Sequence, residues 1–344
     1  MSTGSPLPRV DEPCWYEVRE TSCIGAARRA ATLLAQRVDF SECRTTEAGI
    51  IATELCTNLI KHAGGGRLLL RSLDDHGIEM LAVDSGPGIV DPVLAETDGY
   101  TTAGSLGIGL GAIRRLSDAY DLYSTPGKGT ALAVRMWSGP RPQRWAGFRG
   151  AGLSRPAISG FVCGDDYALR EEGGRLVVLL SDGLGHGPEA RSASQVAVRT
   201  FLDQPYQGLT GTLELIHQAC GRTRGVAVSM AELDPVRGLV RFAGIGNVNG
   251  WVVRHGERRG LTVLPGIAGH RIHGVREQEV PAPADSWVVL HSDGLTDRWN
   301  LDAYPGLLVR DPLLIAGVLL RDAGVYRDDA SIVVFGSTGS NCER

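Results

Sequence analysis

The sequence predicts an α/β (α+β) protein of two domains: a helical layer on a mixed sheet, then a β-sandwich flanked by helices. Three observations carry that expectation. The 344 residues leave room for about two domains of ordinary size. A break lies at 138–155, where Gly139-Pro140-Arg141-Pro142-Gln143-Arg144 interrupts both helical and strand periodicity, as a linker does. Helical and strand-like patterns alternate before that break, whereas strand-like runs dominate after it. The expected division is therefore a domain at 10–137, a linker at 138–155 and a domain at 156–337.

The elements follow in order. A strand near 14–19 leads to a helix near 23–36. A second helix at 46–63 has apolar residues at Ile50, Ile51, Leu55, Leu59 and Ile60, and Gly64-Gly65-Gly66 stops it. Strands follow at 67–72 and 78–84, then a glycine-rich loop, a helix near 111–119, and strands at 121–124 and 130–136. Beyond the break the strand-like runs include Leu176-Val177-Val178-Leu179-Leu180, Trp287-Val288-Val289-Leu290 and Ser331-Ile332-Val333-Val334-Phe335. Two helices, near 188–202 and 209–219, interrupt them.

Composition narrows the function classes. The hydrophobic fraction of 43% with 22% charged residues is that of a globular protein. No apolar run approaches the roughly 18 residues that a membrane span needs, and the first residues carry no secretory pattern. Seven cysteines, irregularly spaced and without a Cys-x-x-Cys pair, argue for reduced thiols and a cytoplasmic location. A net charge of −4 with no basic face gives no support for nucleic acid as a partner.

Chemistry-bearing residues fall into two sets. In the first half, Glu54 and Asn58 are four apart and share one face of an otherwise apolar helix. Alone, such a pair would be ordinary solvated surface. The segments that follow outweigh that reading. Asp84 ends a strand and precedes Gly86 and Gly88, where a ligand could approach the backbone. Gly104-Ser105-Leu106-Gly107-Ile108-Gly109-Leu110-Gly111 then feeds a helix N-terminus, where unpaired N–H groups and the helix dipole favour a phosphate. The pattern fits neither the dinucleotide fold nor the P-loop, since it follows no strand of a βαβ unit and lacks the Gly-Lys-Ser/Thr ending.

In the second half, Ser181-Asp182-Gly183 and Ser292-Asp293-Gly294 each end a strand-like run. Cys163-Gly164-Asp165-Asp166 lies upstream, and Arg327-Asp328-Asp329-Ala330 leads into the last strand. A single Asp-Gly is usually a turn. Four acidic loci beside strand ends in one domain-sized stretch instead suit hard divalent cations, and imply a metal-dependent hydrolase.

The first set resembles the GHKL ATPases. Glu54-x-x-x-Asn58, Asp84-x-Gly86-x-Gly88, Gly107-x-Gly109-x-Gly111 and Gly127-Lys128-Gly129-Thr130 look like that superfamily's four boxes, in order, across roughly 10–137. The string Asp98-Gly99-Tyr100-Thr101-Thr102 is similar to the RsbT-like switch kinases among the serine/threonine kinases that regulate bacterial sigma factors. The resemblance implies ATP with Mg²⁺ as cofactor. Asn58 would hold the metal and Asp84 would accept from the adenine amino group. Gly86, Gly88 and Thr130 belong to the boxes lining the nucleotide, Gly107, Gly109 and Gly111 would wrap the phosphates, and Glu54 would act as base. No dimerising hairpin with a phosphoacceptor His lies upstream, and His62 is read as structural.

The second set resembles the PPM phosphatases of the SpoIIE branch, with the RsbX-like stretch Asp182-Gly183-Leu184-Gly185-His186-Gly187-Pro188-Glu189-Ala190 and the string Ala243-Gly244-Ile245-Gly246-Asn247. That implies two Mn²⁺ or Mg²⁺ ions, with Asp182 bridging, the Gly183 carbonyl on one ion, Asp165 on one flank and Asp293 with Asp328 on the other. Asp166 and Asp329 are alternatives for their neighbours. His186 is read as a loop residue, and Ser181 and Ser292 are not nucleophiles in this scheme. Together the resemblances imply a bifunctional kinase and phosphatase in a sigma-factor partner-switching pathway. STAS-domain antagonists or stressosome proteins would be the partners, with a downstream phosphatase or sigma regulator as another. Two other readings stand beside it: a phosphatase whose first domain only binds ATP and a sigma-factor regulator, or one whose first domain senses nucleotide and gates the phosphatase in cis.

Overall fold

The computed structural model describes residues 14–73, 76–96, 109–140, 147–157 and 162–338. In chain order they form β1 (Cys14–Val18), α1 (Ser22–Arg37), α2 (Glu42–Ala63), β2 (Gly66–Leu73), β3 (Gly77–Val83), α3 (Pro92–Ala95), α4 (Gly109–Leu116), β4 (Ala119–Thr125) and β5 (Gly129–Trp137). Next come β6 (Phe148–Arg155), β7 (Asp165–Glu172), β8 (Arg175–Gly183), α5 (Pro188–Asp203) and α6 (Gly208–Ala219). The remainder is β9 (Val226–Asp234), β10 (Leu239–Ile245), β11 (Asn249–Arg254), β12 (Glu257–Leu261), β13 (Gln278–Pro281), β14 (Trp287–His291), α7 (Pro312–Ala323) and β15 (Ala330–Ser337). The chain divides into two compact units. The first gathers the described part of Pro8–Gln143 with Tyr304–Arg321; the second gathers that of Arg144–Ala303 with Asp322–Arg344.

The first unit is a five-stranded sheet in the order β1-β2-β3-β5-β4. All four of its pairings are antiparallel, where the sequence suggested a mixed sheet. Helices α1 and α2 cover one face. Ala27, Ala31 and Ala35 of α1, at helical spacing, let it lie close against Ala48, Ala52 and Leu55 of α2 above Leu68, Ile78, Met80 and Val134 of the sheet. Helix α2 starts four residues before the expected position because Ser41 caps it, its side chain accepting from Arg44 N at 3.3 Å. Gly64, at φ +72, ends it in the left-handed conformation the glycine run was expected to supply.

The strands' other face is buried as well, and the cover comes from far along the chain. Gly317 of α7 brings that helix to within contact of Leu81 and Val83 of β3. At the start of α7, Asp311 accepts from Arg135 Nη1 and Nη2 at 2.6 and 2.9 Å. Arg135 in turn donates to Glu79, which is 1% exposed and also paired with Arg71. Burial pushes the Glu79 carboxyl up, but Arg71 and Arg135 hold it below its ordinary value. Residues 304–321, inside the expected second domain by sequence order, thus pack as part of the first unit.

The second unit is a sandwich of two five-stranded sheets, β13-β10-β9-β8-β7 and β12-β11-β14-β15-β6, with every pairing antiparallel. Leu176, Val178 and Leu180 of β8 meet Val288 and Leu290 of β14 and Val333 and Phe335 of β15 between the sheets. The alternate residues Val177 and Leu179 face α5 and α6, against Ala193, Ala197, Phe201 and Leu213. A strand covered on both faces reads as an unbroken apolar run, which is why β8 lacks alternation. Residues 148–155, assigned to the linker from sequence, instead form β6, an edge strand on β15. Its glycines and arginines disguise it. Gly152 leaves room for the Tyr167 ring, whose hydroxyl donates to the Gly152 carbonyl at 2.7 Å. A third helix, α7, joins the two expected beyond the break.

Candidate functional site

In the first unit, α2 and α4 bring three of the sequence-predicted positions together. A Cβ at Gly109, the first residue of α4, would stand 3.2 Å from Glu54 Oε2 and 3.3 Å from Asn58 Oδ1. The stacked Glu54/Asn58 face of α2 therefore points at Gly109, the first described residue of α4, which has no side chain to fill the space. Asn58 Nδ2 is buried and, among the described residues, lacks a hydrogen-bond partner. An orphaned amide of that kind is costly unless a ligand completes it. Gly111 is buried one turn's fraction further along α4; Gly107 lies outside the described residues, as do residues 98–102.

Asp84 follows β3 directly and is 9% exposed. Its Oδ1 accepts from Gly86 N at 2.8 Å and Thr130 N at 3.2 Å, while its own N–H donates to the Thr130 carbonyl at 2.9 Å. Burial pushes its carboxyl up, and the Gly86 and Thr130 amides and Arg321 counter this. Among the described residues no hydrogen bond falls on Oδ2, which leaves one acceptor on a fixed carboxylate. Gly88 and Gly129 are required here for shape. At φ +71 and +89, a Cβ would overlap the Thr125 carbonyl from Gly88 and the Asp84 carbonyl from Gly129. The 84–88 loop and the β4–β5 hairpin are thereby clasped together, with Gly127 N donating to the Pro87 carbonyl at 2.7 Å. The orphaned Asn58 Nδ2 donor fits a phosphate oxygen, its Oδ1 facing Gly109 could take Mg²⁺, and the other Asp84 oxygen fits an adenine amino group.

In the second unit, the β7–β8 register sets Asp165 directly opposite Asp182. Asp165 is 2% exposed and accepts from Ser292 Oγ at 2.6 Å, while Ser292 Oγ accepts from Ser331 N at 3.0 Å. The hydroxyl of the second Ser-Asp-Gly thus fixes the carboxylate facing the first. Burial raises the Asp165 carboxyl, the Asp329 charge adding to it. Burial raises Asp182 further, with Asp165, Asp293 and Asp328 repelling its charge. Asp293 is raised by burial and then by Asp328, and it accepts a hydrogen bond from Asn247 Nδ2. Among the described residues no three Asp, Glu, His or Cys side chains stand as a ready cation cage. Asp165, Asp293 and Asp328 nonetheless all act on Asp182, a donor set whose chemistry fits divalent metal.

The two alternative acids have different partners. Asp329 is 4% exposed, and its oxygens accept from Ala157 N at 2.8 Å and Gly164 N at 2.7 Å, so it braces the loop that leads to Asp165. Asp166 accepts from its neighbour Tyr167 N at 2.9 Å. The glycines of both Ser-Asp-Gly strings answer to close packing. A Cβ on Gly183 would stand 2.0 Å from the Ala190 carbonyl, and one on Gly294 1.9 Å from the Asp329 carbonyl. His186 lies exposed between β8 and α5. Sequence reasoning missed Arg321, which donates from Nη1 to the Asp84 carbonyl at 2.8 Å, and the bracing roles of Ser292 and Asp329. The Ser-Asp repeat was the available signal for Ser292; Arg321 had none.

Comparison with known proteins finds relatives for each half of the chain. The family "Histidine kinase-like ATPase domain" matches residues 19–136. Over 130 residues the chain is 31% identical to the serine/threonine-protein kinase RsbT of Bacillus subtilis (strain 168), spanning 37% of this chain and 97% of that protein. The chain belongs to the RsbT family. It is longer than that relative, and the family "Stage II sporulation protein E (SpoIIE)" matches residues 172–335. RsbX in complex with magnesium is similar in fold, with 16% identity, a TM-score of 0.50 and coverage of 58% of this chain and 98% of that one. A chain from a structure described as the bacterial stressosome, a modular system adapted to control secondary messenger signaling, gives 22% identity and a TM-score of 0.51 over 55% of this chain and 100% of the other. The chain therefore joins a domain of the RsbT serine/threonine kinase family to a region that the SpoIIE family matches. No helix among the described residues is long and apolar enough to cross a membrane.

Proposed function

We propose that this chain is a bifunctional regulator that phosphorylates and dephosphorylates serine or threonine on STAS-domain proteins of a sigma-factor partner-switching pathway. The observation that carries the reading is the presence in one chain of two separately organised sites, Glu54 and Asn58 facing Gly109, and Asp165 opposed to Asp182. In the kinase site Asn58 would hold Mg²⁺, and the N–H groups at the start of α4 would bind the phosphates. Asp84 Oδ2 accepts from the adenine amino group, and Glu54 takes the proton of the incoming hydroxyl. A residue kept to bind nucleotide alone would need no carboxylate at that place.

In the phosphatase site Asp182, Asp165, Asp293, Asp328 and the Gly183 carbonyl are the residues that would hold two Mn²⁺ or Mg²⁺ ions. Ions bound there supply a water of lowered pKa and a Lewis acid for the phosphoryl oxygens. Ser292 and Asp329 keep the Asp165 loop in place while the phosphoester is cleaved, and Asn247 orients Asp293. The relatives' settings, RsbT and the stressosome, support partner switching as the context, inside a cytoplasm. The test is transfer of label from γ-labelled ATP to purified STAS proteins, followed by release with and without Mn²⁺. Label that appears on serine or threonine and is then lost only with Mn²⁺ supports the reading. Nucleotide binding without any transfer would reduce the first domain to an ATP-dependent binder.

A further inference from the structure

The nucleotide site has a neighbour from the far end of the chain. Arg321 stands near the end of α7 and donates from Nη1 to the Asp84 carbonyl at 2.8 Å. That carbonyl occupies the tightest point of the site, where Gly129 must lack a side chain to pass it. Asp84 is held from two sides: its Oδ1 by the Gly86 and Thr130 amides, its carbonyl by Arg321. The near end of α7 is also fastened to the first unit. Asp311 takes both Nη groups of Arg135 on β5, and its own N–H donates to Asp121 Oδ2 on β4 at 2.7 Å. Between these anchors the helix is buried residue after residue, with Gly317 against Leu81 of β3. The strands that carry Asp84 and Thr130 are thus braced at two points by one rigid helix.

The chain passes into the second unit immediately after Arg321. There Thr296 N donates to the Ala323 carbonyl at 2.9 Å, and Val325 N donates to the Gly294 carbonyl at 2.7 Å. Asp328 follows seven residues after Arg321, and Gly294 directly follows Asp293. Each of these bonds lies within its own unit, and α7 with the residues after it runs from one set to the other. A displacement of α7 would have eight residues or fewer to cross before the backbone that carries Asp328 and pairs beside Asp293. Segments so short transmit a shift because packed elements move between discrete arrangements and do not deform continuously.

We infer that Arg321 is a positioning residue of the adenine site and that α7 ties nucleotide occupancy at Asp84 to the order of the 322–329 segment. The inference rests on the ATP-binding reading above, and the experiment separates the two. Full-length wild type, Arg321→Met and Arg321→Lys are titrated calorimetrically with ADP at constant Mg²⁺. Amide hydrogen exchange of peptides covering 322–329 is followed with and without saturating ADP at that same Mg²⁺. Arg321→Met is expected to bind ADP about tenfold more weakly, within the ordinary range of coupling between sites. Arg321→Lys, which keeps a donor and the charge, should recover most of that loss, a rescue that lost packing alone would not give. Exchange at 322–329 should slow on adding ADP to wild type and stay unchanged in Arg321→Met at saturation. If Arg321→Met proves too unstable to purify, the Lys variant and the wild-type exchange carry the test. Equal ADP affinity in all three proteins, or exchange at 322–329 that ignores ADP in wild type, overturns the inference. Wild type that binds no ADP at all overturns the ATP-site reading instead.

Discussion

Asp84 and Asp182 both lie at the ends of buried strands with a glycine within two residues, yet they are held in opposite ways. Asp84 has two backbone amides on one oxygen and an arginine at its carbonyl. Asp182 faces another buried carboxylate across a strand pair and feels two more. The first acid is settled by protein donors, and in the function proposed above its other oxygen would accept from a neutral amino group. The second has its carboxyl pushed up by burial and by its neighbours' charges, a setting that protons or metal ions would relieve. An acid at a strand end therefore says little by itself; the count of donors around it tells a hydrogen-bond acceptor from a cation ligand.

The comparison can be broken at its strongest point. Asp182→Asn removes a charge shared by the whole acidic set and is expected to cut metal-dependent phosphatase turnover by about a thousandfold or more, measured on a phosphoserine protein. In the other unit, Glu54→Gln should lower phosphoryl transfer by roughly 10²–10⁴-fold while calorimetry finds ATP affinity unchanged. Asn58→Ala should instead weaken Mg-ATP binding by about tenfold or more. Equal losses of affinity in the two variants would make Glu54 a structural residue. A smaller effect sharpens the distinction between bracing and ligating acids. Asp329→Ala strips the Ala157 and Gly164 amides of their acceptor and should cost about 1.5–3 kcal/mol of stability, read by denaturant titration of the metal-free protein.

pH supplies a further lever. Asp165 and Asp182 bind protons more tightly folded than unfolded, so the folded, metal-free protein is favoured at low pH. The penalty for ionising them grows as pH rises from the ordinary carboxylate range through about 7 for Asp165 and about 9 for Asp182. Mn²⁺ competes with those protons. The rise in Tm on adding saturating Mn²⁺ should therefore be larger at pH 8 than at pH 6, and a rise independent of pH would contradict the repulsive arrangement.

Much of this was legible in the sequence, and the exceptions have physical causes. Helix α2, the glycine turn at Gly64 and the acids before β15 follow from local chemistry, since caps, glycines and periodicity act within a few residues. Helix α7 escaped because Pro312-Leu313-Leu314-Ile315-Ala316-Gly317-Val318-Leu319-Leu320 is apolar all round and shows no amphipathic period. Its assignment to the first unit depends on the Arg135–Asp311 pair, between residues 176 positions apart. Strand β6 looked like a linker because an edge strand with glycines and arginines carries little apolar pattern. Asp328 and Asp329 could not be told apart because the amides that settle Asp329 come from Ala157 and Gly164, far away in sequence.

The most direct test of the difference between the two acids is the melting temperature of metal-free wild type and Asp182→Asn at pH 8, each repeated with Mn²⁺. If the carboxylates of the second unit stand in unrelieved repulsion, the Asn variant melts about 2–4 °C above wild type without metal, a gain of roughly 1 kcal/mol, and gains little from Mn²⁺. Wild type should gain much more. An Asn variant that melts lower than wild type without metal, or that gains as much from Mn²⁺, would contradict the account.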